Sequence, residues 1–360
     1  MALGQVRRLS VAAAILMCCG LAAPGCLDIQ TTTVVRRDES LTRTVLFSGD
    51  SASIPSARAI LGIDSAWTLE SGRAENTHTL KAERRFADIE EMARALEGIP
   101  GTTVRIIPRL DTRFNWFFTT YRYSETWRRL HAVDEIPLSE YVSAGEIAMF
   151  YRHELEKEPY ATRGDSLALA DAEDRYREWD ARNWFEAYYK VFLAGVRDLG
   201  DPSLRPDSLA ARKELLFRET RGRFGIISGD STVQEIDSMG AEFARVLKNP
   251  RALAAAEARR EEIGALAAQQ RFVESFAPYG YQVGVEMPGL ITNTNANSVN
   301  GSLVIWKGFE GALYVADYDM WVESSVVNWW AIIISALLLI AAVVFAIVVI
   351  VRGRRVVSPA

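Results

Sequence analysis

The apolar and polar positions divide the chain into stretches of different period. From residue 27 to about 130 they read mostly as strand. "IQTTTVVRR" and "LTRTVLFSG" are crowded with β-branched residues, and "DES" between them supplies a turn. "SAWTLESG" and "NTHTLKAERRF" predict a second hairpin, joined around "SGRAEN". "FADIEEMARAL" then changes to helical period, with Ile89, Met92, Ala93 and Leu96 on one face. Asp88 is placed to cap its first turn, Glu91 to complete a capping box, and Gly98, Pro100 and Gly101 to stop it. "TVRIIPRL" and "RFNWFFTTYRYSETWRRL" follow as strands. In the second, alternation turns Phe114, Trp116 and Phe118 inward and leaves Asn115 and Phe117 on the other face.

Residues from 137 to 277 carry the helical period. Ser139 is placed to cap the first helix, in "LSEYVSAGEIAMFYRHELEKE". In the longest stretch, Trp179, Trp184, Phe185, Tyr188, Tyr189, Phe192 and Val196 form a wide stripe at three- and four-residue spacing. Such a stripe predicts the packed core of a helical bundle. Strand character returns at "YGYQVGVEMPGLI", "SLVIWKG" and "ALYVADYDMWVES", the last predicting a strand over Leu313–Glu323. The expected class is α+β: an antiparallel-sheet domain with a short helix, interrupted by a helical insertion and followed by one C-terminal transmembrane helix. The expected divisions are 1–25 signal peptide, 26–136 and 278–326 β-rich, 137–277 helical insertion, 329–351 transmembrane helix and 352–360 basic tail.

Both ends are apolar in different ways. Arg7 and Arg8 precede a short apolar core and the small residues "AAPG", the layout of a secretory signal. Cys26 follows and resembles the lipid-modified cysteine of a bacterial lipoprotein, although Ala23 stands where such signals carry leucine. Lipid attachment at Cys26, a plain secretory cut and an uncleaved anchor all remain open. Near the other end, Trp329 to Val351 runs 23 residues without a charge, and about 20 suffice to span a bilayer. Trp329 and Trp330 stand at one edge of this run, and Arg352, Arg354 and Arg355 at the other. Tryptophan favours the interface and arginine stays cytoplasmic, so the body is expected outside and the tail inside.

Charge then narrows the partners. The chain is −5 overall, while residues 1–26 and 329–360 hold five arginines and no acid, leaving about −10 on residues 27–328. An acidic external body is poorly suited to nucleic acid. The arginines among the aromatics of 113–129 could form a stacking platform for single strands, but half-buried strands with arginine edges explain them more simply.

Asn300-Gly301, in "PGLITNTNANSVNGSLVIW", predicts a tight turn, with Ile291 leading out and Val304 and Trp306 returning on the partner strand. These turn residues, the strand after them and the terminal helix with its basic tail resemble the end of the LppM-like domain family. The resemblance covers about half the chain, in the two β-rich parts. It implies an extracytoplasmic bacterial envelope protein with a signal cysteine, an α+β domain and a lipid-binding role. The helical block departs from that family's compact pattern.

Chemistry is sparse. His78, His131 and His153 are read as incidental, and "RHELE" lacks the second histidine of a helical zinc site. No phosphate loop, serine elbow, metal motif or cofactor motif occurs. Asp171, Glu173 and Asp174, and Asp317 with Asp319, are read as solvated faces rather than paired catalytic carboxylates. The expectation is a membrane-anchored, non-enzymatic module binding a lipid, an envelope polymer or a protein partner. A carboxylate hydrolase and an assembly factor acting through its transmembrane helix are the alternatives.

Overall fold

A computed structural model describes residues 27–74, 77–98, 103–131, 133–155, 163–224, 239–276 and 279–356, leaving aside the side chains at 74, 150–155, 163, 223 and 350–356. The signal segment 1–25, Cys26, Pro100, Gly101 and the last four residues lie outside the described residues, as does the His153 side chain.

The class is α+β, with strands from both ends of the body sharing each of two sheets. Strands β1 (Leu27–Val35) and β2 (Leu41–Gly49) form the first hairpin, turning where Asp38 accepts from the Ser40 amide at 3.2 Å. After helix α1 (Ile54–Ile60), β3 (Thr68–Ala74) and β4 (Thr77–Phe86) form the second. Helix α2 (Ile89–Leu96) is capped as its sequence predicts: Asp88 accepts from the Glu91 amide at 2.8 Å, and Glu91 accepts from the Ala87 amide at 2.9 Å. Strands β5 (Ile106–Asn115) and β6 (Phe118–Trp127) make the third hairpin.

Among the described residues, seven α-helices follow before the next strand: α3 (Ala144–Leu155), α4 (Arg163–Leu199), α5 (Pro206–Ala210), α6 (Lys213–Thr220), α7 (Met239–Leu247), α8 (Arg251–Glu257) and α9 (Arg260–Phe276). The chain then returns as β7 (Tyr279–Glu286), β8 (Leu290–Thr294), β9 (Ser298–Asn300), β10 (Leu303–Lys307) and β11 (Tyr318–Val327), and ends in α10 (Trp329–Val356). The larger sheet has the order β3-β4-β2-β1-β7-β10-β9, the smaller β5-β6-β11-β8. All pairings are antiparallel except β1 with β7, which run parallel. A parallel pair needs a long crossover, and everything between residues 35 and 279 serves as one.

The two sheets pack face to face. Leu41, Val45 and Phe47 of β2 alternate inward, as do Tyr121, Tyr123 and Trp127 of β6 and Met320 and Val322 of β11. Trp127 meets Tyr281 of β7 and Phe309 edge-on, at 6.3 and 5.1 Å between ring centres. Edge-on rings of this kind add to the burial itself.

In the helical block the aromatic stripe of α4 is the core: Trp179, Trp184, Phe185, Tyr188, Tyr189, Phe192 and Val196 are all buried. Phe185 meets Phe217 at 5.3 Å, and Phe192 meets Phe243 at 4.8 Å. Helix α8 crosses so closely that a Cβ on Gly195 would stand 2.0 Å from the Ala255 carbonyl oxygen. Only glycine fits there.

Several expectations are corrected. Phe114, Trp116 and Phe118 do not face inward; with Phe117 they are all exposed. Asn115 pairs with Phe118, so the chain reverses at Trp116-Phe117 and the alternation was counted through a turn. Neither turn residue has positive φ, so the usual glycine or asparagine signal is missing. Ser139 lies in a lone 3-10 turn, and Ser143 caps α3, accepting from the Glu146 amide at 3.3 Å while Glu146 accepts from the Ser143 amide at 2.8 Å. Asn300-Gly301 does turn β9 into β10, but Ile291 belongs to β8, which pairs with β11 in the other sheet. The last strand begins at Tyr318, because Glu310–Tyr314 forms a 3-10 turn.

Candidate membrane-facing site

The described helix α10 holds one span long and apolar enough to cross a membrane, Trp329–Val349, 21 residues. At about 1.5 Å per residue this is roughly 32 Å, close to the ~30 Å hydrocarbon core. Ile333, Leu337, Ile340, Val344 and Phe345 are exposed around it. A core helix would be buried; beyond its first two turns this one is exposed on every side. Trp329 and Trp330 open the helix, 68% and 49% exposed, and the backbone positions of Arg352, Arg354 and Arg355 fall in its last two turns.

No flexible linker joins this helix to the body. Val327 is the last residue of β11, paired with Phe118, and Trp329 is the first of α10. Asn328 between them is a junction. Its amide donates to the Phe117 carbonyl at 2.8 Å, and its side-chain nitrogen reaches the Asn115 and Trp116 carbonyls at 3.2 and 3.4 Å. Its side-chain oxygen accepts from the Thr119 hydroxyl at 3.1 Å, and its own carbonyl accepts from the Ala331 and Ile332 amides. One residue thus ends the strand, starts the helix and seals the β5–β6 turn.

That turn lies along the first two turns of the helix. Phe114 stacks on Trp330 at 6.1 Å, Trp116 meets Trp330 edge-on at 5.6 Å, and the Trp116 indole N–H donates to the Ser335 hydroxyl at 2.9 Å. Ala331, fully buried, and Ser335 are four residues apart and so lie on one helix face. Leu290, at the start of β8 opposite Ser325, is 73% exposed. Gly289 before it has φ +86°, and a Cβ there would stand 2.3 Å from the Ser325 carbonyl oxygen. Phe114, Trp116, Phe117, Phe118 and Leu290 therefore make an apolar rim beside the Trp329–Trp330 pair. Sequence reading placed the tryptophan pair and missed the rim.

Titratable groups gather elsewhere, in two buried clusters. Between the sheets, Arg43 of β2 pairs with Glu125 of β6 at 2.5 Å, both about 2% exposed or less. Glu125 also accepts from the Tyr123 hydroxyl at 2.6 Å and the Trp127 indole at 2.9 Å, and Arg43 donates to Thr33 at 3.2 Å. Burial pushes the Glu125 carboxyl up, but the Arg43 charge and the three donors outweigh it and hold the group below the usual carboxylate range. Burial raises the Tyr123 phenol well above its ordinary value.

The second cluster corrects the reading of His131 as incidental. Its side chain is fully buried, its Nε2 lies 2.8 Å from Asp180 of α4, and its Nδ1 lies 2.9 Å from the Val133 carbonyl. Trp179 and Trp184 flank the ring at 5.1 and 4.9 Å. Asn183 continues the tie, accepting from the Glu135 and Ile136 amides at 2.8 and 3.0 Å. The cluster stitches the segment after β6 onto the helical block. It is shielded from solvent, Asp180 being 2% exposed at its side chain. Burial, with the Asp180 charge adding, raises the nearby Glu274 carboxyl.

The acids singled out in the sequence lie at the surface. Asp171 and Asp174 are 72% and 75% exposed in their own ion pairs with Arg175 and Arg177. Asp317 pairs with Arg128, and Asp319 accepts from Thr126 at 2.5 Å.

No family model matches the chain, and no curated protein matches it. Among solved structures, the NMR structure of the folded domain of Mycobacterium tuberculosis LppM matches with a TM-score of 0.28 and 8% identity, over 84% of this chain and 91% of that one. The LppM-like resemblance is thereby a weak structural link, and it decides neither topology nor function.

Proposed function

We propose that the chain is a single-pass protein of a bacterial cytoplasmic membrane, its acidic body outside and its basic tail in the cytoplasm. The body is a non-enzymatic module that presents a binding surface to a lipid, an envelope polymer or a protein partner. The observation that carries this reading is the direct passage from β11 through Asn328 into an uncharged, unburied helix. A strand hydrogen-bonded on both sides cannot swing freely, so the body keeps one attitude to its helix. Orientation follows from Arg352, Arg354 and Arg355 at the far end, since arginine is retained on the cytoplasmic side. Both buried ionic clusters are closed off and join parts of the fold, which favours a binding role over catalysis. Cys26, one residue before β1, would place a lipid anchor at the head of the central strands if it is the modified residue.

A reporter active only outside the cytoplasm, fused after Ala360, tests the orientation: it should be silent there, and activity would reverse the topology. Detergent-purified full chain, extracted and analysed for lipid and co-purifying polymer or protein, tests the binding role. A chain that carries none of them would count against it.

A further inference from the structure

We infer that the β5–β6 turn is a second membrane-inserting element, which dips into the acyl region of the outer leaflet beside α10. The inference rests on the reading of α10 as a bilayer span.

The first support is depth. Ser335 lies six residues after Trp329, about 9 Å further along the helix. If Trp329 marks the interface, the Trp116 side chain that bonds Ser335 at 2.9 Å lies at acyl depth. The bond suits that place: an indole N–H and a hydroxyl without water each need a partner, and each supplies the other. In water neither would.

Backbone satisfaction is the second support. A turn can enter hydrocarbon only if its polar backbone is covered, because an open carbonyl there costs several kcal/mol. The carbonyls of Asn115, Trp116 and Phe117 all accept from Asn328. Asparagine at this junction does what solvent would otherwise do.

The third is the surface itself. Phe114, Trp116, Phe117 and Phe118 are 57%, 49%, 44% and 49% exposed, and Leu290 on β8 is 73% exposed. Five large apolar side chains on one end of a sheet are costly in water, and they adjoin a helix that lipid must surround.

The full chain, with its own three cysteines replaced by serine, is labelled with an environment-sensitive fluorophore at Phe117→Cys, Leu290→Cys, Ile340→Cys or Asp207→Cys. Each is reconstituted in phosphatidylethanolamine–phosphatidylglycerol vesicles with or without lipid spin-labelled near the top of the acyl chain or, for position 340, about 16 Å past Trp329, near its methyl end. The spin label should cut emission at least about twofold at 117 and 290, as expected for side chains seated 5–10 Å into the boundary. Position 340 reports the helix itself, and 207, on the exposed helix α5, should be unaffected. Quenching at 340 with 117 and 290 as bright as 207 would overturn the insertion and leave the anchored reading intact. No quenching at 340 would remove the span and the insertion with it.

Discussion

The two densest aromatic stretches of the chain end in opposite surroundings. In α4, Trp179, Trp184, Phe185, Tyr188 and Phe192 are at most 1% exposed, packed by the helices of the block. At the β5–β6 turn, Phe114, Trp116, Phe117 and Phe118 stand open beside α10. Composition does not separate them. What differs is the neighbour: a helix with a wide stripe finds further helices of its own chain, whereas the end of the smaller sheet finds only the first turns of the apolar helix α10. The comparison teaches that aromatic density marks apolar contact, and that its partner is set by which end of which sheet it occupies.

Five substitutions break or sharpen this contrast. Trp184→Ala removes a fully buried ring and should cost about 3–5 kcal/mol in chemical unfolding of the detergent-solubilised chain. A cost near that of a surface change would mean that the stripe is not a core. Glu125→Ala leaves Arg43 buried and unpaired and should cost about 3–5 kcal/mol. Replacing both partners by apolar residues should be much milder, and equal losses for the single and double changes would deny the pairing.

Beside α10, Asn328→Ala uncovers the Asn115 and Trp116 carbonyls, leaves the Phe117 carbonyl on the backbone amide, and should cost about 1–3 kcal/mol, read as a drop in melting temperature in vesicles. An unchanged melt would show that the junction is not held by this side chain. Next in size is a pH effect. The Arg175 guanidinium and the Ser143 groups hold the Glu146 carboxyl down at about 2. A depressed folded value stabilises the fold above the unfolded value and loses that help as pH falls toward 2. The wild-type advantage over Glu146→Gln should therefore be full near neutrality and shrink below about pH 4.5 in melting curves; a constant gap would sink the pairing. Phe117→Ala is the smallest for stability, within about 0.5 kcal/mol. Its mark should be weaker quenching of a label at position 290 by lipid-borne spin labels, and a large loss of stability would move Phe117 into the core.

Much of this organisation was legible because local physics carried it. Asp88 and Glu91 cap α2 as their spacing dictates, and the α4 stripe fell at helical period. Twenty-three uncharged residues headed by tryptophans have few other readings. The misses share a cause, which is that the deciding partner lies far along the chain. Trp116-Phe117 reverses direction without a glycine, stabilised by Asn328 more than two hundred residues later. Ile291 left the expected hairpin for a strand of the other sheet. His131 looked incidental because Asp180 and the tryptophans that enclose it are 49 residues away or close to that.

The chain by itself determined the class, the capping box of α2, the helical core and the apolar span, since each depends on residues within a few turns of one another. Tertiary structure alone decided that β1 and β7 run parallel, that Arg43 meets Glu125, and that an aromatic turn lies against the start of the apolar helix α10. Those outcomes depend on which distant surfaces meet, and burial and hydrogen-bond satisfaction are resolved only when the whole chain has closed.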